Sequence, residues 1–437
     1  MTNDTPTPTT RTDERRNEDR RRCLSRRRLL SASGAAFATV GVAGCSDDGT
    51  PASDADASDA GPADDGSDTD RDDVLPDLPR VEDPPDAVYV PTHREAMLHL
   101  PTERAGEYAV TPMLTYPHRF WLVTGDRTDE VVPESPRGVH LMFTPWDPET
   151  GTVLPVDAGA QIRVRYEGDV IDQRAPWPMI SQSMGFHFGD NVPLPEDGTY
   201  TVEVDLTSVP TRTTGAFDGR FRTGGTATFE FEYDETLRQG LIDDVHYFGE
   251  ELWGERGAID PMDHGGHDHH DDHSDHDHHD DHGDHDHHDD HSDHDDGENH
   301  HHDDETEMTM PFSRLPEAES YPGVGLGEPR TGDARVVVRY LEASRLADGA
   351  DYLLVSPRTP YNRVPLADTA IAVDGAVSGA LEQTLDHELG LHYGIAASLE
   401  PGDAVEVVFE SPPQVSRHAG YETAFLEMPP VEVTVPE

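Results

Sequence analysis

Short runs of β-branched and aromatic residues, many of them alternating with polar residues, recur between residues 84 and 234. Glycine, proline and aspartate separate these runs about every ten residues, a spacing typical of an antiparallel β-sandwich. The runs are 87–90, 120–123, 139–143, 161–166, 199–204 and 226–233. They predict a first β-sandwich domain at residues 81–235.

A second, shorter series of apolar runs follows near the carboxyl end of the chain. Its members are 336–338, 352–355, 370–373, 405–409 and 431–435. They predict a second β-sandwich at residues 311–437. The predicted fold class is all-β, with two tandem immunoglobulin-like antiparallel β-sandwich domains that each bury one face of every strand between two sheets.

One motif occurs once in each predicted domain. His187 lies between Gly185 and Gly189, and His392 stands in the same setting 205 residues later. The pair Arg212-Thr213 has its counterpart in Arg417-His418, again 205 residues later. A self-match at constant spacing indicates a duplicated unit.

Three segments lack this strand pattern. Residues 236–262 are interpreted as a linker with helical character, in which Leu237, Leu241, Val245 and Leu252 line one side of a helix or two. Residues 263–310 form a histidine/aspartate-rich tract whose nine-residue unit occurs three times, and such a composition cannot form a core. Residues 46–80 are rich in Asp, Ser, Ala, Gly and Pro, which predicts a disordered acidic tether.

The first 45 residues have the features of an export signal. Arg26-Arg27-Arg28 precedes a short apolar run of small residues, and Gly44-Cys45 ends a sequence that resembles a lipobox. The run is too short and glycine-rich for a good membrane span. We therefore expect export by the twin-arginine route, lipidation of Cys45, and a protein anchored at the extracellular face of the cell membrane. The alternative is a disordered basic tail with a chance cysteine.

Charge and cysteine content exclude several classes of function. The formal net charge of −57 disfavours a nucleic-acid partner, because phosphates require Lys and Arg. It suits very high salt, as on a halophile's cell surface, or the capture of cations. Only two cysteines are present, Cys23 within the signal and Cys45 as lipid carrier. This excludes the His/His/Cys sites of blue-copper proteins and all-cysteine zinc or iron–sulfur sites.

The first domain is rich in imidazole and thioether side chains, which together suit copper, particularly Cu(I). Ferrous iron and zinc prefer imidazole with carboxylate. His140 and Met142 lie two residues apart on a predicted strand and so share a face. The candidate ligands are His118, His140, Met142, Met179 and His187. The alternative interpretation is that the methionines fill the core and that His118 is a hydrogen-bonded structural residue.

The stretch Pro178-Met179, the loop around His187 and the following Gly-x-Tyr-x-Val strand resemble the bacterial periplasmic iron-transport proteins, whose immunoglobulin-like domain binds copper. The resemblance implies a copper site drawn from the methionine, the histidines and a nearby acid. His140-Leu141-Met142 looks like the family's His-Leu-Glu strand with methionine in place of glutamate. Thr213 stands where the family has a later histidine, so the first domain lacks that ligand.

The second domain departs from the same family pattern in the opposite way. His392 and His418 match it, but Thr384 is in register with Met179, and Tyr352 falls about where His140 would. His387 is a further candidate ligand, beside Glu388, although this acidic run is equally readable as a solvated loop. We expect two unequal sites, and whether the domains share one site stays open.

The expected function is a lipid-anchored, extracellular protein that captures copper and/or iron and assists iron uptake. The histidine/aspartate tract would act as a flexible metal buffer beside it or, alternatively, as a solvated spacer. A membrane permease for iron and a homodimer partner stay open. A β-sandwich interaction module with structural histidines is the alternative function. No catalytic nucleophile motif or phosphate-binding glycine loop is present, so we expect no enzyme, and a copper reductase or oxidase is the least favoured function.

Overall fold

The computed structural model describes residues 78–262 and 309–437. The described residues are mostly antiparallel β-sheets, which confirms the predicted all-β sandwich class. The signal with Cys45, nearly all of the predicted tether and nearly all of the histidine/aspartate tract lie outside the described residues. Within the described ranges, no helix is long and apolar enough to cross a membrane.

The first part of the chain contains fifteen strands: β1 (His93–Arg94), β2 (Leu98–His99), β3 (Glu103–Ala105), β4 (Tyr108–Thr115), β5 (Phe120–Thr124), β6 (Arg127–Val131), β7 (Gly138–Asp147), β8 (Thr152–Val153), β9 (Gln161–Tyr166), β10 (Asp169–Arg174), β11 (Trp177–Ser181), β12 (Gly185–Pro193), β13 (Gly198–Leu206), β14 (Arg212–Thr214) and β15 (Gly225–Tyr233). Helix α1 (Glu235–Asp243) and strand β16 (His246–Tyr247) follow.

The remaining strands are β17 (Val324–Gly327), β18 (Arg330–Thr331), β19 (Ala334–Leu341), β20 (Tyr352–Arg358), β21 (Ala370–Gly375), β22 (Gly379–Ala380), β23 (Glu382–Asp386), β24 (Gly390–Ala396), β25 (Ala404–Ser411), β26 (Ser416–Arg417) and β27 (Val431–Thr434). Short 3₁₀ turns lie at Gly215–Phe217, Glu250–Leu252, Ala318–Ser320 and Arg345–Ala347.

The first sandwich packs a four-stranded sheet, in the order β10-β9-β13-β15, against the sheet that contains β4, β7, β12 and β11. The period of two explains this arrangement. Along β13 and β15 alternate side chains are buried, so each strand faces the core with one side and solvent with the other. In contrast, every residue of β4 and β7 is buried, so other parts of the chain also cover the face of these strands that points away from the sandwich core.

The second sandwich repeats this plan on a smaller scale. Its sheets have the orders β14-β23-β24-β20-β19-β17 and β22-β21-β25-β27, and valine, leucine and tyrosine side chains fill the space between them. Strands β23 and β24 pair as β11 and β12 do, so the duplicated histidine motifs occupy equivalent hairpins.

Each half of the chain adds a short strand to the sheet of the other half. Strand β26 of the second half pairs in parallel with β11, and β14 of the first half pairs in parallel with β23. One hydrophobic core runs across both halves and includes Leu385, Leu391 and Phe425 beside first-domain residues. The two sandwiches therefore pack into one compact unit.

The segment after the first sandwich also packs against it. Helix α1 begins after Asp234, whose side chain accepts a hydrogen bond from the Leu237 N–H as an N-cap. Leu237 and Leu241 lie on this helix, and Leu241 and Val245, which follows the helix, share an apolar cluster with Tyr116. Leu252 instead lies in a 3₁₀ turn and is exposed. Residues 244–262 then run along the first sandwich and end with the Met262 N–H donating to the Ser183 carbonyl.

Candidate metal centre

Three separate parts of the chain bring histidines to one place. His140 lies on β7, His118 lies just before β5, and His418 follows β26 of the second half. One ring nitrogen from each of these three lies within 4.8 Å of the other two. On β12, His187 adds a fourth imidazole, with 3.1 Å between its Nε2 and that of His418.

His418 reaches this centre because β26 is held firmly in the first sheet. The His418 N–H donates to the Ile180 carbonyl at 3.2 Å. The side chain of the preceding residue, Arg417, is fully buried and donates from Nη2 to the Pro413 carbonyl at 3.1 Å. Burial lowers the pKa of this guanidinium to about 9.

Hydrogen bonds at Nδ1 orient two of the imidazoles. The Nδ1 of His187 lies 3.2 Å from the Gly185 carbonyl, and the Nδ1 of His118 lies 2.9 Å from the Arg119 carbonyl. A carbonyl can only accept, so each Nδ1 carries the proton and each Nε2 keeps its lone pair. Second-shell bonds of this kind orient histidine ligands in metal sites.

Asn191 gives His140 the same orientation. Its Nδ2 donates to the His118 carbonyl at 2.9 Å, and its Oδ1 accepts from the His118 N–H at 3.3 Å. The amide is thereby fixed with Oδ1 facing the Nδ1 of His140, 3.0 Å away. The Nδ1 of His140 must therefore carry the ring proton and donate it to Oδ1. The Nε2 of His140 then has a free lone pair that points into the centre.

The lone pairs of two of these nitrogens are not engaged in hydrogen bonds with any of the described residues. The Nε2 atoms of His118 and His140 are buried, and neither has a hydrogen-bond partner among the described residues. Leaving a buried polar atom without a partner costs about 1–3 kcal/mol, so such atoms call for an explanation. A metal ion would supply the missing partner. With metal–nitrogen bonds of about 2.0 Å, two ligands of a tetrahedral site lie about 3.3 Å apart, close to the spacing of His187 and His418.

Gly189 makes room for the ligands. A Cβ atom built at this position would lie 2.9 Å from the Nε2 of His140, 3.1 Å from the Sδ of Met179 and 3.2 Å from the Cγ of Met142. The thioether sulfur and the free imidazole nitrogen therefore converge on the space above a residue without a side chain. Met179 itself is opposite His187 in the β11–β12 hairpin. The donor set is then imidazole nitrogen with thioether sulfur, which fits copper.

Burial keeps the imidazoles of His140, His187 and His418 neutral. It lowers the pKa of His140 and of His418 well below the usual value, and neighbouring imidazoles lower both further. Burial also lowers the pKa of His187 to about 4, against the raising effect of the Gly185 carbonyl. Neutral imidazole is the form that binds metals, so the centre is ready to bind at neutral pH without losing ring protons to solvent.

A surface pocket borders the centre at His118. Its volume is about 470 Å³, and His118, Glu95, Glu130 and Glu422 lie on its wall. His118 is half-buried, whereas His140, His187 and His418 are buried. Arg80 and Arg119 also lie on this wall and both pair with Glu130, so the wall carries charges of both signs.

The equivalent place in the second domain is filled by protein. Tyr352 has the position of His140 in the strand pairing, and its phenol lies over Gly394, the counterpart of Gly189. Thr384 replaces Met179 opposite His392. The Nδ1 of His392 lies 3.1 Å from the Gly390 carbonyl, as in the first domain, and its buried Nε2 has no hydrogen-bond partner among the described residues. One imidazole therefore remains from the duplicated site.

The acidic run in the second domain is occupied by an arginine. Asp386, His387 and Glu388 are close enough to form a metal-binding group. However, Arg345 binds both carboxylate oxygens of Asp386 at 2.6 and 3.0 Å and also Glu388 at 3.0 Å. The Nδ1 of His387 accepts from the Ala216 N–H at 3.0 Å. Arg345 and backbone thus take the place that an ion would need, and we do not place a metal there.

Of the predicted ligands, the structure brings together His118, His140, Met179, His187 and His418. Met142 borders the same space through its Cγ, while His392 and His387 lie in the second domain. Two residues that shape the centre, Asn191 and Gly189, were not predicted, although both belong to the sequence motif around His187. Asn191 belongs to the motif after His187, and Gly189 frames that histidine.

Fold and site together define a two-domain β-sandwich protein with a histidine/methionine centre at the contact between its halves. A family model described as a domain of unknown function (DUF7350) matches residues 319–434. No curated protein sequence matches the chain. Among solved structures, the chain is similar to a copper-bound variant of FetP from uropathogenic Escherichia coli, at 14% identity over 32% of this chain and 97% of that chain, with a TM-score of 0.24. This match is weak and partial.

We expect His392 to make the fold sensitive to acid. Burial lowers its pKa to about 4, whereas an unfolded histidine has a pKa near 6.5. Below pH 6.5 the unfolded chain binds a proton that the folded chain does not, so stability falls from about pH 6.5 down to about pH 4. His392 alone should lower the free energy of unfolding by about 3 kcal/mol over this pH range. Urea unfolding at pH 7 and pH 4 should therefore show about 3 kcal/mol less acid destabilisation in a His392→Gln variant. Equal losses in both proteins would contradict this.

Proposed function

We propose that the protein captures copper at the centre formed by His118, His140, His187, His418 and Met179. The observation that carries the proposal is the grouping of ring nitrogens of His118, His140 and His418 within 4.8 Å, together with the approach of the His140 Nε2 and the Met179 Sδ to the space above Gly189. Copper is favoured because thioether sulfur is a soft ligand. The histidine group contains no carboxylate, which ferrous iron and zinc would favour.

The role that we propose for this copper is to assist iron uptake outside the cell. The support is the resemblance of the Pro178-Met179 and His187 motifs to the bacterial periplasmic iron-transport proteins. The lipobox-like sequence before Cys45 supports a lipid anchor, and the preceding arginines support twin-arginine export. A Cys45→Ser variant should then leave the membrane fraction, and its retention there would argue against the anchor.

We further propose a binding protein and not an enzyme. The support is that Met179 and three of the four histidines are buried, and that of these residues only His118 borders the surface pocket. We propose that the histidine/aspartate tract binds metal ions loosely and releases them as pH falls through the imidazole range.

A pair of equivalent variants tests the copper centre. We expect His187→Ala to lower Cu(I) and Cu(II) affinity by at least about 100-fold, more than the ~10–100-fold typical of a lost second-shell partner. His392→Ala should change it less than about 3-fold, because Tyr352 fills the equivalent space in the second domain. Both variants carry a deletion of residues 264–304, so that tract histidines do not contribute, and affinity is measured by competition with a chelator of known affinity.

The outcome also separates the two parts of the proposal. Equal losses in the two variants, or no tight copper in the parent, would refute the copper centre. Normal iron-limited growth of cells carrying only His187→Ala, together with lost copper, would leave copper capture standing and remove the role in iron uptake. Fe(II) and Zn(II) titrations of the same proteins serve as controls for metal preference.

A further inference from the structure

Six methionines gather in one cluster beside the histidine centre. Met113, Met142, Met184 and Met310 are buried, and the partly buried Met97 and Met262 pack against them. The whole chain has only ten methionines. No leucine, isoleucine, valine or aromatic residue belongs to this methionine cluster, whereas the other cores of the described residues consist mainly of such side chains. Packing alone does not call for this composition, because leucine fills a core with better-defined rotamers.

Separate segments supply the cluster. Met113 on β4 is directly opposite Met142 on β7. Met184 lies in the turn between β11 and β12, where its N–H donates to the Ser181 hydroxyl at 3.0 Å. Met262 is held to the same turn by its bond to the Ser183 carbonyl at 2.9 Å. The fold thus collects thioethers that are far apart in sequence.

The methionine cluster adjoins the histidine centre through Met142. Its Cγ lies 3.2 Å from the position of a Cβ on Gly189, the same point that the His140 Nε2 approaches to 2.9 Å. Met262 immediately precedes the histidine/aspartate tract in sequence, and Met310 is the last residue of the tract. The methionine cluster therefore contains a residue at each end of the tract and borders the histidine centre.

Thioether sulfur selects a narrow class of metal ion. It is a soft, neutral donor that suits Cu(I), whereas Mg, Ca, Mn and similar hard ions prefer oxygen and Zn prefers nitrogen or thiolate. It carries no proton near neutral pH, so protons do not compete for it as they do for imidazole. Methionine also packs flexibly in irregular cores, which is the alternative that an experiment must exclude.

We propose that the methionine cluster is a second metal site, which binds a soft monovalent cation, Cu(I), separately from the histidine centre. The site goes beyond copper capture at the histidines and does not depend on it. Its partly buried side, at Met97 and Met262, is where the ion enters, and Met142 borders both sites.

Methyl NMR of the full-length protein tests this site. Methionine is labelled with ¹³C at the methyl group, and Ag(I) is added as a redox-inert probe of Cu(I) binding. We expect the six methyl signals of the cluster to shift together with one equivalent of Ag(I), including in a His140→Ala/His187→Ala variant. Met428, buried in another core, is the internal control and should not shift. Cluster signals that stay unchanged while Ag(I) binds elsewhere would overturn the proposal.

A volume-conserving variant excludes simple packing. Met113→Leu/Met184→Leu should keep the unfolding temperature within a few degrees, since leucine and methionine have similar volumes. It should lower Ag(I) affinity of the cluster at least about 10-fold, while Met428→Leu leaves it unchanged. Unchanged affinity in the double variant would contradict the site. If the cluster binds Ag(I) but the histidine variants show no copper loss, the proposed copper centre fails and the methionine site stands.

Discussion

A His418→Ala variant is expected to lose at least about 100-fold in copper affinity. This is more than is lost when a group that only hydrogen-bonds to a metal ligand is removed. This histidine is 231 residues from His187 and belongs to the other sandwich, yet their Nε2 atoms lie 3.1 Å apart. In the metal-free protein His418 donates this bond, because the Nδ1 of His187 already carries that ring's proton. An ion bound between the two nitrogens would take the place of that proton, which would move to the Nδ1 of His418.

The affinity loss must be separated from damage to the fold. The variant leaves a cavity and removes the partner of a buried nitrogen, which together cost a few kcal/mol. Copper affinity is therefore measured by chelator competition at a temperature well below the unfolding transition of both proteins. Thr213→Ala is the matched control, since Thr213 is the counterpart of His418 in the duplicated unit and is also buried. Copper affinity that survives in His418→Ala would show that the halves do not share the site.

Each domain lacks one of the expected ligands, and the packing of the two halves shows how the first-domain centre is completed. The first domain has Thr213 in place of the later histidine, and the second has Thr384 in place of Met179. Strands β14 and β26 each cross to the other half, so His418 completes the first-domain centre, whereas Arg212 pairs with Thr384 and Thr213 with Leu385 on the neighbouring strand. Duplication thus produced two equivalent places, of which one holds a full donor set and the other is filled by Tyr352.

Much of this could be predicted from the sequence because the signals are local. Period-two patterning predicted the sandwich strands, and the spacing of 205 residues placed His187 and His392 on equivalent hairpins. Tyr352 was expected about where His140 would fall, and the strand pairing shows that the two positions are equivalent. These features depend on neighbours along one strand or on the comparison of two copies.

The convergence of the ligands could not be predicted, because it depends on packing between distant segments. Strand β26 is only two residues long and shows no periodicity that would indicate parallel pairing with β11. The orientation of the rings depends on Asn191 and on single carbonyl groups. The sequence also could not show that Arg345, from another part of the chain, binds the acidic residues Asp386 and Glu388 beside His387.

A Gly189→Ala variant is expected to lower copper affinity at least about 10-fold without removing any ligand. The added methyl group would lie 2.9 Å from the His140 Nε2 and 3.1 Å from the Met179 Sδ, so it would occupy the space where these atoms meet. His140 cannot simply move aside, because Asn191 holds its Nδ1 and Asn191 is itself held by the His118 backbone. Overpacking of this kind costs about 1–3 kcal/mol of stability.

The same substitution in the second domain distinguishes loss of the metal site from general strain. A Cβ on Gly394 would overlap the Tyr352 hydroxyl, so Gly394→Ala also overpacks a buried position. We expect Gly394→Ala to lower the unfolding temperature but to keep copper affinity within about 3-fold, because no ligand lies there. Copper affinity is compared at a temperature where both variants are folded. Equal affinity losses would mean that strain anywhere in the compact unit weakens the centre, whereas a loss confined to Gly189→Ala would locate the ion above that glycine, between His140 and Met179.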